Sequence, residues 1–328
     1  MNENLTESQI IELSKKYFSA KSPNIIKGIG DDTAVLKLSE GYQLFTTDML
    51  VENTHFLLEK ITPYNLGWKS IAVSISDIAS MGGIPNYAIL SLGLNKNIDY
   101  IWLESFYQGM ADCADTYYTF VVGGDTVLSK EAIVVNVALL GASERPVYRN
   151  NIKDGFILAI TGEHGASAAG LWVLQNLKEE FSKEEKYCID KHTRPIPRVK
   201  EASFLNLMIT NLSMIDSSDS LYTSCKIFCE QSGVGLELYE EQFPVSDELK
   251  TISTKTGKTI LELILYGGED YELVVAMPED EYQFVKEEYL KTFGVPLTCI
   301  GKFNSNSEIN LNSGNTNIIL QDKSFKHF

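Results

Sequence analysis

The sequence predicts a two-domain protein of the α/β or α+β class, and three observations carry that expectation. Helical and strand-like periodicities alternate along the whole chain, with no block of one kind. The chain has 328 residues, 44% hydrophobic and 22% charged, an ordinary globular balance at a length that suits two domains. A polar, turn-rich stretch at 145–155 falls near the middle and precedes a fresh apolar run. It sets a boundary at about residue 150 and divides the chain into 1–150 and 151–328.

The elements follow in order. Thr6 to Gln9 reads as a capping box that opens a helix with Ile10, Leu13 and Tyr17 on one face. Short β-like runs follow at 33–38 and 43–47, then a helical pattern at 63–81. The spacing predicts a strand at 88–94 and a helix at 101–116. The apolar, β-branched runs at 120–122 and 133–140 read as buried strands. After the boundary come a strand at 156–161 and a glycine-rich turn, Gly162 to Gly170, leading into a helix that ends near Phe181. The remainder reads as helix 197–210, strand 212–216, helix 219–231, strand 234–239, helices within 246–265, strand 271–277, helix 279–292 and short closing strands.

Composition excludes several classes. Twenty-eight basic against 44 acidic residues give a net charge of −16, which argues against a general nucleic-acid binder. No run of about 18 apolar residues predicts a membrane span, and the opening MNENLTESQI lacks the basic-then-apolar pattern of a secretion signal. The five cysteines are scattered, and Cys225 and Cys229 have no second pair with which to bind zinc. They read as reduced thiols in a cytoplasmic protein. His55, His164, His192 and His327 are isolated in sequence. His55 stands out because it follows an acidic segment closely enough to meet a substrate phosphate.

The informative feature is where the acids fall. Asp31 and Asp32 sit in a glycine-flanked turn, Asp48 at the end of a strand-like run, Asp77 within an apolar segment, and Asp125 after Gly123-Gly124. Asp216 and Asp219 follow another strand, and Glu269 and Asp270 follow Gly267-Gly268. A carboxylate beside buried apolar residues is costly unless it is paired or binds metal. Few cations lie near these acids in the sequence. Hard oxygen donors suit Mg²⁺, which takes one or two carboxylates and completes its shell with phosphate oxygens. Acidic loops this numerous point to more than one ion and a polyanionic substrate. The competing explanation is that each aspartate is only a cap or turn residue. The glycines before the acids allow close backbone approach to a phosphate, and Gly162, Gly165 and Gly170 surround a turn whose helix N-terminus can face an anion. No Walker A sequence is present, since Ile252 stands where Gly257-Lys-Thr259 needs its first glycine, and no dinucleotide or protein-kinase signature occurs either.

Seven strings stand out along the chain: GIGDDTAV (28–35), TTDMLVENTHF (46–56), SIAVSISDIASMGG (70–83), VVGGDT (121–126), GASAAGL (165–171), RPIPR (194–198) and YGGEDYEL (266–273). Together they resemble the thiamine-monophosphate kinases of the aminoimidazole-ribonucleotide synthetase-like superfamily. The resemblance implies an N-terminal ATP- and Mg²⁺-binding domain that joins sheets across a homodimer, with a C-terminal α/β domain behind it. It implies ATP-dependent phosphorylation of thiamine monophosphate to thiamine diphosphate by direct in-line transfer, the last step of thiamine diphosphate biosynthesis. By motif position, Asp32, Thr46, Thr47, Asp48, Asp77, Asp125, Asp216 and Asp219 become metal ligands. Tyr107, Gly124, Asp125, Arg149 and Ser218 become ATP contacts. His55, Glu269 and, through a looser alignment, Phe325 become substrate contacts. No covalent nucleophile, nucleic acid or membrane enters that reading.

One motif departs from the family. Asp216-Ser-Ser-Asp219-Ser220-Leu221 carries serine at 217 in place of an apolar residue and at 220 in place of glycine. If position 220 needs a positive φ, serine there is strained by about 1 kcal/mol; if it opens the next helix, serine is harmless. Three other readings stand beside the kinase: a synthetase of the same superfamily with another substrate, a nucleotide- or metal-binding protein without turnover, and an acidic dimer whose turn aspartates are only turns.

Overall fold

The computed structural model describes residues 23–27, 30–176, 180–314 and 316–324. The expected helix at Thr6, the residues Gly28 and His327, and the Phe325 contact lie outside the described residues. The first half builds a sheet from β1 (Ile25–Lys27), β2 (Ala34–Lys37), β3 (Tyr42–Val51), β4 (Ile84–Leu94), β5 (Phe120–Leu128) and β6 (Val134–Ser143), in the order β1-β2-β3-β6-β4-β5. Its pairings are antiparallel except β4 with β5. Helices α1 (Pro63–Ser80) and α2 (Tyr100–Thr116) pack against each other, and α1 also packs on β3, β6 and β4.

The second half builds a sheet from β7 (Ile157–Thr161), β8 (Ser213–Asp216), β9 (Gly235–Tyr239), β10 (Leu273–Met277), β11 (Leu297–Asn304), β12 (Ile309–Ser313) and β13 (Thr316–Ile319). The order is β13-β12-β9-β11-β7-β10-β8, antiparallel apart from β12 with β9. Around it lie α3 (Ala166–Asn176), α4 (Lys183–Thr193), α5 (Val199–Met208), α6 (Leu221–Ser232), α7 (Asp247–Thr256), α8 (Ile260–Tyr266) and α9 (Glu279–Phe293).

Strands β7, β8 and β10 are buried at every residue. This is why they read as continuous apolar runs rather than alternating ones. Their side chains still divide by a period of two. Val274 and Ala276 join one apolar core with α3 and α6, while Val275 and Met277 join a second that continues through α1 into the first sheet. Helix α1 is therefore the shared element. It packs on β3 and β6 in front and on β8 and α5 behind. It is buried on nearly every side, as a helix between two sheets must be. Thr62 caps it by accepting from Asn65 N at 3.1 Å, with Pro63 at the first position. Trp68 Nε1 donates to Pro195 O at 2.7 Å and ties the helix to the second half.

Three expectations change. The strand placed at 43–47 runs on to Val51, so Asp48 lies inside a strand and not at its end. The run at 120–122 is part of β5, an edge strand whose nine residues are all exposed, so it is not a buried strand, and Gly123, Gly124 and Asp125 belong to it rather than following it. Helix α4 was not expected; Ser182 and Glu185 form a full capping box at its start.

Candidate active site

Helix α1 assembles the site, because its motif Ser74-Ile-Ser76-Asp77-Ile-Ala-Ser80 meets three separate acidic segments. Ser74 Oγ donates to Asp48 Oδ2 of β3 at 2.7 Å. Ser76 Oγ donates to Asp216 Oδ2 at the end of β8 at 2.7 Å. Ser80 Oγ donates to Asp32 Oδ2 at 2.9 Å. Asp77 itself accepts from Thr46 Oγ1 at 2.5 Å. Thr46 and Asp48 lie two residues apart on β3 and so face the helix together, whereas Thr47 points to the other side and accepts from Asn136 Nδ2 at 2.9 Å. The sequence signalled the four aspartates but not the serines that hold them.

These four carboxylates repel one another. Burial pushes Asp216 up to about 8, with Asp32 and Asp48 adding to it. Burial also raises Asp32 to about 6, even though Arg149 Nη1 lies 3.0 Å from its Oδ1. Asp77 is held well above the ordinary carboxylate range by burial and by Asp48, Asp216 and Asp32, and burial raises Asp48 too. Arg149 Nε also sits 3.4 Å from Asp31 Oδ1, so one guanidinium serves two acids. The group is an excess of buried negative charge, and its donors are all oxygen, the set that suits Mg²⁺. Among the described residues no three His, Cys, Asp or Glu side chains stand ready to hold a metal ion by themselves. The fit is thus to an ion that takes one or two carboxylates and completes its shell with phosphate oxygens and water.

A second region adjoins the first. A cavity of about 480 Å³ is lined by Asp48, His55, Lys69, His192, Ser218, Asp219 and Glu269 among others. Its acid is balanced. Lys69 Nζ lies 3.0 Å from Glu269 Oε1, and His192 Nδ1 lies 3.4 Å from Oε2. Burial favours the neutral acid at Glu269, but Lys69 and His192 outweigh it and hold the carboxyl below its ordinary value. His192 is pushed down to about 4 by burial and by Lys69, so it is neutral at pH 7. His55 is fixed by its Nδ1, which accepts from Val51 N at 3.0 Å in the turn that follows β3. From the sequence Lys69 stood only among the few cations near the acids and His192 only as an isolated histidine, neither with a role in the site.

The loop carrying Glu269 is stapled to the Asp216–Asp219 segment. Glu269 N donates to Ser218 O at 2.6 Å and Tyr271 N to Ser217 O at 3.0 Å. Gly268 sits at φ +75°, where a Cβ would come within 2.2 Å of Asp219 O. Glu269 and Tyr271 both adopt positive φ, at 56° and 51°, a strained geometry of the sort found at functional sites. The remaining acids of the string are structural. Asp270 accepts from Gly165 N at 2.9 Å and Ser167 N at 3.2 Å, so the N-terminus of α3 faces the protein's own carboxylate and not a substrate anion. Glu272 pairs with Arg198 and accepts from Thr161 Oγ1 at 2.6 Å. The departure at 220 is harmless: Ser220 has an extended backbone (φ 177°) and caps α6, with its Oγ accepting from Thr223 N at 3.0 Å.

The chain's likeness to known proteins agrees with this geometry. Residues 30–143 match the family model described as AIR synthase related protein, N-terminal domain. The thiamine-monophosphate kinase of Aquifex aeolicus is 37% identical over 278 residues, covering 85% of this chain and 88% of that one. The chain belongs to the thiamine-monophosphate kinase family. A solved structure of AaThiL complexed with AMPPCP and TMP superposes with a TM-score of 0.88 at 32% identity, with both chains fully covered. Escherichia coli HypE, a hydrogenase maturation protein, shares the fold at a TM-score of 0.74 and 20% identity, covering 97% of this chain and 98% of that one.

The residues that the family motif marks do not all fall together. Asp32, Thr46, Asp48, Asp77, Asp216 and Arg149 form one group around α1. His55, Ser218, Asp219 and Glu269 line the adjoining cavity. Asp125 and Gly124 lie on exposed β5, where Asp125 Oδ1 accepts from Thr126 N at 3.0 Å. Tyr107 is half-exposed on α2, edge-on to Phe106. No hydrogen bond or ion pair among the described residues ties Asp125 or Tyr107 to the four aspartates.

Proposed function

We propose that the protein transfers the γ-phosphoryl group of ATP to thiamine monophosphate, giving thiamine diphosphate and ADP. The observation that carries this is the four-aspartate group, an oxygen-rich centre whose acids outnumber its cations, opening on a cavity in which Glu269 is balanced by Lys69. The acceptor is a phosphate monoester with a second pKa near about 6. It is already mostly a dianion at pH 7, so no strong general base is required. The obstacle is repulsion between two polyanions. Several Mg²⁺ ions, when bound, supply the charge that screens this repulsion and lets the phosphates approach in line.

The chain's own residues do the rest. Asp32, Asp48, Asp77, Asp125, Asp216 and Asp219, with Thr46, form the cation-binding set, and the Thr47 hydroxyl, which faces the other side of β3, stands apart from it. Ser74, Ser76, Ser80 and Thr46 fix carboxylate orientation in advance. Tyr107, Gly124, Asp125, Arg149 and Ser218 form the ATP-binding set, and His55, Glu269 and Phe325 the substrate set. No side chain acts as a covalent carrier. The division near residue 150, between β6 and β7, separates an ATP-binding unit from the unit that completes the cavity.

The exposed face of the first sheet supports a homodimer. Phe120, Val122, Val127 and Leu128 on β5, with Tyr87 and Ile89 on β4, are each at least half exposed in the single chain. An unpaired apolar edge of this length calls for a partner. Sedimentation is expected to give the mass of two chains. Among the described residues no helix is long and apolar enough to cross a membrane, and the free cysteines fit a cytoplasmic enzyme.

The test is ADP release with ATP and Mg²⁺, comparing thiamine monophosphate, thiamine and no acceptor. Thiamine diphosphate formed only from the monophosphate is the expected result. ADP release with none of these acceptors, despite Mg²⁺-dependent ATP binding, overturns the assignment. Labelled phosphate bound covalently to the protein overturns direct transfer.

A further inference from the structure

Lys69 is buried to 1% exposure, and no hydroxyl or carbonyl among the described residues accepts from its Nζ. Its partner is the carboxylate of Glu269, 3.0 Å away. An ammonium carries three N–H donors, and burying it with donors unmet is costly. Both side chains line the 480 Å³ cavity. The cavity wall therefore presents a strong donor directly beside a strong acceptor. The pair is neutral as a unit, which suits an uncharged polar edge better than a phosphate, because Glu269 repels an anion placed at Lys69.

We propose that Lys69 and Glu269 together form a specificity edge that reads an amidine-like N–C–NH₂ group, Lys69 donating to a ring nitrogen and Glu269 accepting from the adjacent amino group. This rests on the reading of the site as a thiamine-monophosphate kinase and names the part of the substrate it recognises, the 4′-amino and N3′ edge of the aminopyrimidine. The placement agrees with the rest of the substrate. Lys69 and Asp77 are eight residues apart on α1, about 12 Å along its axis at 1.5 Å per residue, comparable with an extended thiamine phosphate from pyrimidine to phosphate. Lys69 comes from α1 and Glu269 from the loop before β10, so the edge exists only where the two halves meet. The two positive φ values and the staple to Ser217 and Ser218 hold Glu269 in place against Lys69.

The test uses oxythiamine monophosphate, in which a carbonyl replaces the 4′-amino group and N3′ carries hydrogen, exchanging donor and acceptor. The intact enzyme is expected to prefer thiamine monophosphate by roughly tenfold or more in kcat/KM, since the analogue leaves buried polar groups mismatched. In Lys69→Met that preference is expected to shrink to within about threefold, through a raised KM for thiamine monophosphate with KM for ATP unchanged. Lys69→Arg, which keeps a donor, is expected to retain part of the preference. Equal use of both substrates by the intact enzyme overturns the inference, and that comparison needs no variant to fold. Equal loss on both substrates in Lys69→Met also overturns it and makes Lys69 merely structural. If the intact enzyme forms no thiamine diphosphate at all, the kinase reading fails first and the inference falls with it.

Discussion

The two acidic regions meet along α1, yet they are built on opposite electrostatic plans. Around Asp77 the carboxylates outnumber the cations, and burial pushes every one of the four upward. At Glu269 one carboxylate faces Lys69 and His192, and its acid is held low. The first arrangement stores unbalanced charge that binding partners must neutralise. The second is already neutral and can distinguish ligands by hydrogen bonding. Phosphoryl transfer to a small organic phosphate calls for both properties, side by side.

The largest expected effect belongs to the unbalanced region. Asp77→Asn or Asp48→Asn is expected to lower kcat/KM by roughly 10²-fold or more, the scale lost when one preorganised electrostatic group is removed. Steady-state assays at saturating Mg²⁺ check this. Next comes Glu269→Gln, which leaves the Lys69 ammonium buried without its partner. Breaking a buried pair from one side costs about 3 kcal/mol, and chemical denaturation is expected to show a loss of that order together with a raised KM for thiamine monophosphate.

A smaller effect concerns pH. Burial raises Asp270 to about 7, although Gly165 N and Ser167 N both donate to it. A carboxyl with a raised folded pKa binds more protons in the native state than in the unfolded one. Its contribution therefore becomes less favourable as pH rises from about 4 to about 7. Asp270→Asn is expected to flatten that part of the stability profile, measured as the thermal midpoint at pH 5 and pH 8. A midpoint change across this range that is the same in both proteins contradicts the assignment. The smallest effect is at Ser220. Because it is a helix cap with an extended backbone, Ser220→Gly is expected to cost only a few tenths of a kcal/mol, whereas a strained serine would have been relieved by glycine and the protein stabilised.

Much of this was legible in the sequence, and the gaps have physical causes. The acids of the first region stood out because carboxylates among apolar neighbours violate the usual pattern. Their convergence did not, because it depends on α1 lying between two sheets, and serines at 74, 76 and 80 look like ordinary helix residues. Asp48 appeared to close a strand because polarity usually marks an end, while here a polar residue faces α1 from mid-strand. The run at 120–122 read as core because an apolar edge strand and a buried strand share the same composition. Helix α4 was hidden by its polar sequence, although its capping box was present at Ser182 and Glu185. With α4 went His192, which faces Glu269. The resemblance to the kinase family covered Glu269 but not Lys69, whose role appears only when the two halves are brought together.

The contrast between the two regions is tested most directly by thermal midpoints in metal-free buffer at pH 7.5, comparing Asp77→Asn with Glu269→Gln. Both replace a carboxylate with an isosteric amide. Asp77→Asn is expected to raise the midpoint, because it removes a carboxyl that burial and its acidic neighbours make costly to ionise, and Glu269→Gln is expected to lower it, because it orphans Lys69. Shifts of the same sign would contradict the account.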